Sequence, residues 1–104
     1  MQLPSPIAAY FDGENRHAIG AVAACFTEDA IVTDEGAAHA GRAAIAAWKR
    51  ASAARYRVHI TPLSIDPSHL VRAQVSGSFP GSPIELRFAF TLAGGQIAAL
   101  EIKP

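Results

Sequence analysis

The end of the first β-branched segment offers this chain its clearest candidate for acid–base chemistry. Asp34 closes the run Ala30-Ile31-Val32-Thr33-Asp34, where it shares a strand face with Val32. If Val32 faces the core, Asp34 faces the interior too, and desolvation there raises a carboxyl pKa toward that of a working base. Ile31 on the opposite face leaves this assignment open. The alternative is a carboxylate that accepts hydrogen bonds from turn amides near Gly36.

Three other polar side chains are candidates for a site around Asp34. Tyr10, in the first predicted helix, is either a core aromatic whose hydroxyl reaches a partner or a residue that touches a ligand. His39 lies in a glycine-flanked loop and can shuttle protons or hydrogen-bond Asp34; the alternative is an inert, exposed histidine. Glu35 points away from Asp34 as long as the strand continues, so we expect it in solvent or in a salt bridge.

The remaining histidines and the one cysteine do not form a metal-binding motif. His17, His59 and His69 lack the spacing of a metal-ligand set, and Cys25 alone cannot complete a cysteine-rich zinc site or form an intramolecular disulfide. Cys25 stands in an apolar helical run, which favours a small buried hydrophobe over a reactive thiol. Dinucleotide, phosphate-loop and serine-hydrolase fingerprints are missing as well. We therefore expect neither a metal nor a cofactor.

The composition predicts one folded domain over residues 1–104. Half of the residues are hydrophobic and 17% are charged, so burial can offset the entropy of ordering the chain. Nine Lys and Arg balance nine Asp and Glu, which leaves no basic field for nucleic acid or anionic lipid. No apolar stretch reaches the roughly eighteen residues of a membrane span, and the start lacks a signal-peptide pattern. We expect a cytoplasmic protein that binds neither nucleic acid nor membranes.

Hydrophobic spacing and turn residues predict an α+β domain. Helices are expected over about 6–14, 16–26 and 41–56, and strands over about 30–34, 56–65, 70–79, 84–92 and 96–102. The turn-rich stretch between Gly36 and Gly41 is either a loop or the place of a second small strand. Ser5-Pro6 is typical of a helix start, with Ser5 as the cap. Short turns between the last four strands make them antiparallel neighbours. The three helices of the N-terminal half are expected to pack on a curved, mainly antiparallel sheet.

The residue patterns of the third helix and of the strand over 84–92 indicate which face of each element is apolar. Trp48 and Tyr56 lie on the apolar side of the helix, whereas Lys49 is expected elsewhere; Trp48 either packs in the core or closes the floor of a pocket. On the strand, Phe88 and Phe90 share an apolar face, and the opposite face carries Glu85, Arg87 and Thr91, so that one face is expected to be buried. We expect aromatic side chains of these faces to line a pocket or to form a dimer surface.

The order of these elements and three local segments resemble the nuclear transport factor 2-like superfamily, in particular its SnoaL-like domains. The run 26–32 is similar to the family's junction between second helix and first strand, and 41–45 with Trp48 is similar to its third-helix opening. The last hairpin, 86–102, also resembles that of the family. The resemblance implies a cone that encloses a small-molecule pocket and a homodimer formed through the sheet. The residues expected in that pocket are Val32, Trp48, Tyr56, Phe79, Phe88 and Phe90.

Within the superfamily, the segment from Tyr10 to Asp34 resembles the ketosteroid isomerases. Asp34 falls at the position of their general base, and Tyr10 at that of an oxyanion-hole tyrosine. Their second oxyanion donor is replaced by Leu86, which cannot donate a hydrogen bond. The resemblance implies an isomerase or cyclase that uses Asp34 as base on an apolar ligand with a carbonyl group. The alternative is a non-catalytic module that binds a ligand or another protein.

Overall fold

The computed structural model describes all residues, 1–104, as an α+β domain of three helices and six strands. These are α1 (Ser5–Asn15), α2 (Ile19–Ala24), β1 (Phe26–Asp34), β2 (Ala37–Ala40), α3 (Arg42–Arg55), β3 (Val58–Ile65), β4 (Leu70–Gly77), β5 (Ile84–Ala93) and β6 (Gln96–Lys103). The predicted class and element order are confirmed. Only α1 and α2 precede the sheet, because α3 follows the first hairpin. None of the helices has the length and apolar character needed to cross a membrane.

All six strands belong to one mixed sheet in the order β2-β1-β6-β5-β4-β3. The last four strands are antiparallel neighbours, as their short turns predict. β1 pairs in parallel with β6, and a register shift between Phe26 and Ile31 interrupts that pairing. This parallel pairing joins segments that are far apart in the sequence, and the sequence did not predict it. It places the end of β1 beside the end of β6, where Asp34 pairs with Ile102.

One boundary and one cap predicted near the N-terminus are wrong. The second helix ends at Ala24, and Phe26 already belongs to β1, where it pairs with Ile97 and is fully buried. Tertiary pairing with β6 therefore overrides the helical spacing of the segment. The first helix begins at Ser5, with Pro4 at the cap position, and no side chain caps its amides. Ser5 thus does not act as the predicted cap.

The core forms where α1 packs on β5. Tyr10 and Phe11 contact Phe88 and Phe90 with ring centroids 5.3 to 6.4 Å apart, mostly in the edge-to-face arrangements that aromatic pairs prefer. The predicted alternation on β5 is confirmed, since these two phenylalanines are buried while Arg87 and Thr91, which flank them on the other face, are exposed. α1 is thereby fixed across the middle of the sheet.

Asn15, the last residue of α1, attaches this helix to the free edge of the sheet. Its side-chain amide donates to the Ile60 carbonyl at 2.8 Å and accepts from the Ile60 amide at 2.7 Å. β3 is an edge strand, so these two bonds occupy backbone groups that would otherwise have no strand partner there. The contact holds the C-terminal end of α1, and with it Glu14, at a fixed distance from the sheet.

Candidate functional site

A cavity of about 480 Å³ lies between the helices and the sheet. This volume is typical of pockets for small organic ligands. Most of its wall is apolar, with contributions from Val22, Ile60, Val75, Leu86, Phe88 and Ile102. The polar wall residues come from α1, α3 and the end of β1, so the site depends on how these three elements pack together.

Asp34 lies in the wall of this cavity, at the end of β1. The ambiguity about its strand face is resolved because Val32 is fully buried while Ile31 is 46% exposed, and Asp34 shares the face of Val32. The indole Nε1 of Trp48 on α3 donates a hydrogen bond of 3.1 Å to Asp34 Oδ2. No protein group donates a hydrogen bond to Oδ1. Because every buried side-chain oxygen of the chain has a hydrogen-bond partner, Oδ1 is not buried, and it is open to the cavity or to solvent. The carboxylate is oriented, and it keeps one oxygen available.

A buried cluster of three polar side chains lines the same cavity. Tyr10 donates its hydroxyl proton to Glu14 Oε2 at 2.6 Å, and Lys49 Nζ lies 2.8 Å from Glu14 Oε1 and 2.7 Å from Oε2. Glu14 is only 6% exposed and the Lys49 side chain only 12%. A carboxylate at this depth requires a cation and hydrogen bonds to compensate for lost solvation, and this cluster provides both.

The pKa of Tyr10 is raised well above its ordinary value. Burial of the phenol is the main cause, followed by the negative charge of Glu14 and the hydrogen bond to it; the charge of Asp34 adds to the effect. Tyr10 therefore keeps its proton at neutral pH and donates it in the hydrogen bond to Glu14. The two residues of the predicted pair, Tyr10 and Asp34, both line the same cavity.

Trp48 connects the buried cluster to Asp34. Lys49 Nζ lies 4.3 Å from the centroid of the indole ring, within the range of a cation–π contact, while the Nε1 of the same ring binds Asp34. Tyr10, Glu14, Lys49, Trp48 and Asp34 thus form a continuous polar strip, and all five line the cavity. In this strip the Trp48 indole contacts both a carboxylate with a free oxygen, Asp34, and an ammonium group, Lys49.

The other residues predicted for the site are distributed between cavity, core and surface. Tyr56, Phe79 and Phe88 lie in the cavity wall, as does Trp48; Val32 and Phe90 are buried in the core and are not part of the wall. His39 on β2 packs against the Trp48 ring, with centroids 5.9 Å apart, and is not a wall residue. His39 therefore contacts the site only through the indole.

Sequence reasoning missed Glu14 and Lys49. The prediction that Lys49 lies away from the packed side of α3 is wrong, because it lines the cavity four residues after the buried Ile45. Glu14 follows Tyr10 by four residues and so shares its helix face. That spacing was the available signal, although it does not reveal which cation on another helix would meet the carboxylate.

Glu35 lies at the cavity wall beside Asp34 although it is exposed. The strand ends at Asp34, and Glu35 and Gly36 form a two-residue hairpin turn with φ of +52° and +76°. Strand alternation therefore does not apply to Glu35, which explains why it is not directed away from the site. No group of three or more His, Cys, Asp or Glu side chains is arranged to hold a metal ion.

Together, the fold and the cavity between helices and sheet define a class of small α+β domains built around a ligand-sized pocket. A family model of the SnoaL-like domain matches residues 7–100, and the chain therefore belongs to this family of the nuclear transport factor 2-like superfamily. A Sinorhizobium meliloti protein assigned provisionally as a polyketide cyclase is 42% identical to it, with a TM-score of 0.90 over 97% of this chain and 95% of that one. No functionally curated protein matches the sequence.

More distant structures share the fold. A Catenulispora acidiphila protein with a ketosteroid isomerase-like fold, solved with trimethylamine, is 20% identical, with a TM-score of 0.84 over 99% of this chain and 87% of that one. SalBIII, an epoxide hydrolase/cyclase-like enzyme with a role in pyran ring formation in salinomycin, is 24% identical, with a TM-score of 0.79 over 94% and 86%. At these identities the similarity concerns the architecture.

Proposed function

We propose that this protein is an isomerase- or cyclase-type enzyme that moves a proton on a largely apolar small molecule with a carbonyl group, with Asp34 as general base. The observation that carries the proposal is the hydrogen bonding and position of the Asp34 carboxylate. Its Oδ2 is held by the Trp48 N–H, its Oδ1 is free, and it lies in the wall of an apolar cavity. A base so oriented can reach a C–H bond of a ligand that fills the cavity.

The reaction needs two groups on opposite sides of the substrate. The base takes a proton from the carbon next to the carbonyl, and the electron pair of the broken C–H bond moves so that negative charge develops on the carbonyl oxygen. A hydrogen-bond donor facing that oxygen stabilises the charge. The cavity offers donors at the other end of the polar strip, in the cluster of Tyr10, Glu14 and Lys49.

The comparisons support the same class of chemistry. The Sinorhizobium meliloti relative carries a polyketide cyclase assignment, and SalBIII is described as epoxide hydrolase/cyclase-like. Both descriptions concern ring-forming chemistry on oxygen-containing small molecules. For the present chain they favour an enzyme over a purely structural module, and the cavity volume of about 480 Å³ suits a ligand of one to three rings.

Hydrogen–deuterium exchange on a simple cyclic ketone tests the proposal without knowledge of the natural substrate. With 2-tetralone in D₂O, the wild type is expected to accelerate deuterium uptake at the carbon next to the carbonyl, as followed by NMR. Asp34→Asn keeps the shape of the side chain but removes the base, and should lower the catalysed rate by about 100-fold or more. Asp12→Asn is the matched control, since Asp12 is exposed on α1 and pairs only with Arg16.

The same experiment distinguishes the second class of function. Trp48 is the only tryptophan in the chain and contacts Asp34, so its fluorescence reports on ligands in the cavity. Binding of the ketone without accelerated exchange would indicate a ligand-binding module that has no base. Equal exchange rates for the wild type and Asp34→Asn, with intact circular dichroism, would remove Asp34 from the mechanism. Assembly into a homodimer through the sheet stays a separate prediction.

A further inference from the structure

We propose that Lys49 is the residue that binds the substrate's carbonyl oxygen, and that Glu14 and Tyr10 are positioning residues that hold its ammonium group in the cavity wall. This inference rests on the proposed function and assigns the group opposite Asp34. It also reassigns the role that the resemblance to ketosteroid isomerases gives to Tyr10.

Lys49 is the buried cation of the wall. The other basic side chains of the wall, His17 and Arg55, are exposed. A lysine ammonium has three N–H donors, and Glu14 accepts hydrogen bonds from it at 2.8 and 2.7 Å. One donor is left over for a ligand. Because Lys49 contributes to the cavity surface, a carbonyl oxygen in the cavity can accept that hydrogen bond.

Tyr10 is poorly placed for the same task because its single proton is already in use. The 2.6 Å hydrogen bond to Glu14 Oε2 is short and charge-assisted, and the phenol is fully buried. Donation to a substrate would require Tyr10 to leave a buried carboxylate that then loses one of its partners. The bond instead fixes Glu14, and the two oxygens of Glu14 fix the position of Lys49.

The position of Lys49 relative to Asp34 suits an enolisable ketone. Both groups contact one indole ring, Nζ at 4.3 Å from its centroid and Oδ2 at 3.1 Å from Nε1. A ketone lying along this ring can place its α-carbon near Asp34 and its oxygen near Lys49. The C–H bond breaks as Asp34 Oδ1 takes the proton, a carbon–carbon double bond forms, and the carbonyl π pair moves to the oxygen. The Lys49 N–H stabilises that enolate oxygen until Asp34 returns the proton to carbon.

Buried ion pairs of this kind are weak sources of stability, because desolvation offsets most of the attraction between the charges. A Glu14–Lys49 pair in the wall of a cavity is therefore better explained by what the cation does there than by folding. The chemistry fits, since an ammonium group in a water-poor site stabilises developing negative charge more strongly than the same group in water.

Ketone exchange in three variants tests the assignment. Lys49→Met is expected to lower the rate of 2-tetralone exchange by about 100- to 1000-fold, the loss typical of one removed oxyanion donor. Tyr10→Phe keeps the Glu14–Lys49 pair and should cost less than about 10-fold. Arg50→Met is the matched control, since it removes the neighbouring, exposed cation of α3. A larger loss in Tyr10→Phe than in Lys49→Met would overturn the proposal in favour of Tyr10 as the donor.

Ionisation of bound 2-naphthol gives a readout that does not depend on turnover or on Asp34. This naphthol has the shape of the enol of 2-tetralone, and its anion has a distinct absorption spectrum. In the wild type and in Asp34→Asn, bound naphthol is expected to ionise at lower pH than free naphthol, and Lys49→Met should abolish this shift. If the shift survives in Lys49→Met, Lys49 does not bind the oxyanion. If Asp34→Asn keeps full exchange activity while the shift depends on Lys49, the base assignment fails and the Lys49 site stands.

Lys49→Met leaves the buried Glu14 without its cation and can unfold the protein for that reason alone. The double variant Glu14→Gln/Lys49→Met removes both charges together and keeps an acceptor for Tyr10. It should fold and show the same loss of exchange and of naphthol ionisation as the single variant. Wild-type exchange in a folded double variant would exclude Lys49 from the reaction.

Discussion

A double-mutant cycle on Glu14 and Lys49 separates stability from function at this pair. Lys49→Met leaves a carboxylate that is 6% exposed without a cation, and loss of one partner from a buried pair costs about 3 to 5 kcal/mol. We expect the lower end of this range, because the pair borders a cavity and Tyr10 still donates to Glu14. Glu14→Gln/Lys49→Met should return to within about 1 kcal/mol of the wild type, since desolvation of both charges no longer opposes folding.

Urea unfolding followed by far-UV circular dichroism measures all four free energies of the cycle. The exposed pair of Asp12 and Arg16 on α1 provides the comparison, with a coupling of no more than about 0.5 kcal/mol. Equal slopes of unfolding free energy against urea among the variants would show that the denatured states are comparable. A double variant as unstable as Lys49→Met would mean that the pair is needed for folding. The reasoning that assigns the buried charges to function would then be refuted.

Two further changes test the contacts that support the site. Asn15→Ala removes both hydrogen bonds to the buried Ile60 backbone and should cost about 2 to 3 kcal/mol by urea unfolding, whereas Asn15→Asp keeps the acceptor and should cost less. The raised pKa of Tyr10 means that its proton stabilises the native state fully below the unfolded pKa of about 10, and that this stability is lost as the pH rises through the folded pKa. The tyrosinate absorbance of Tyr10 should therefore appear together with alkaline unfolding and be missing from Tyr10→Phe; ionisation of Tyr10 in a fully native protein would contradict this.

Local patterns predicted the parts of the fold that local physics determines. The alternation on β5 identifies its buried face, because successive strand residues point to opposite sides of the sheet. The short turns after β3 fix the antiparallel order of the last four strands. The parallel pairing of β1 with β6 joins segments about 70 residues apart, as in the pair of Phe26 and Ile97, and no local pattern encodes it. The same pairing explains why β1 begins at Phe26, where helical spacing predicted the end of the second helix.

The residues of the candidate site also fall into those that local patterns predict and those that depend on non-local packing. Asp34 could be proposed from its strand face and from the family resemblance, and the exposure of Ile31 decides the one alternative that the pattern left open. The contact between Glu14 and Lys49 spans 35 residues and depends on how α1 and α3 are placed around the cavity. Helical spacing places each residue on a face of its own helix, but it does not specify which faces meet.

Glu14 nevertheless carries a signal that physical reasoning can use. A carboxylate four residues after Tyr10, on the same face as the fully buried Ile7, must be buried with that face. A buried carboxylate needs a cation. Lys49, four residues after the buried Ile45, is a cation on the packed side of α3, and this spacing was the available signal for the partner. A charged residue on the buried face of a helix is therefore evidence of a matching charge on a neighbouring element, and in a fold with a cavity such a pair is a candidate for the site itself.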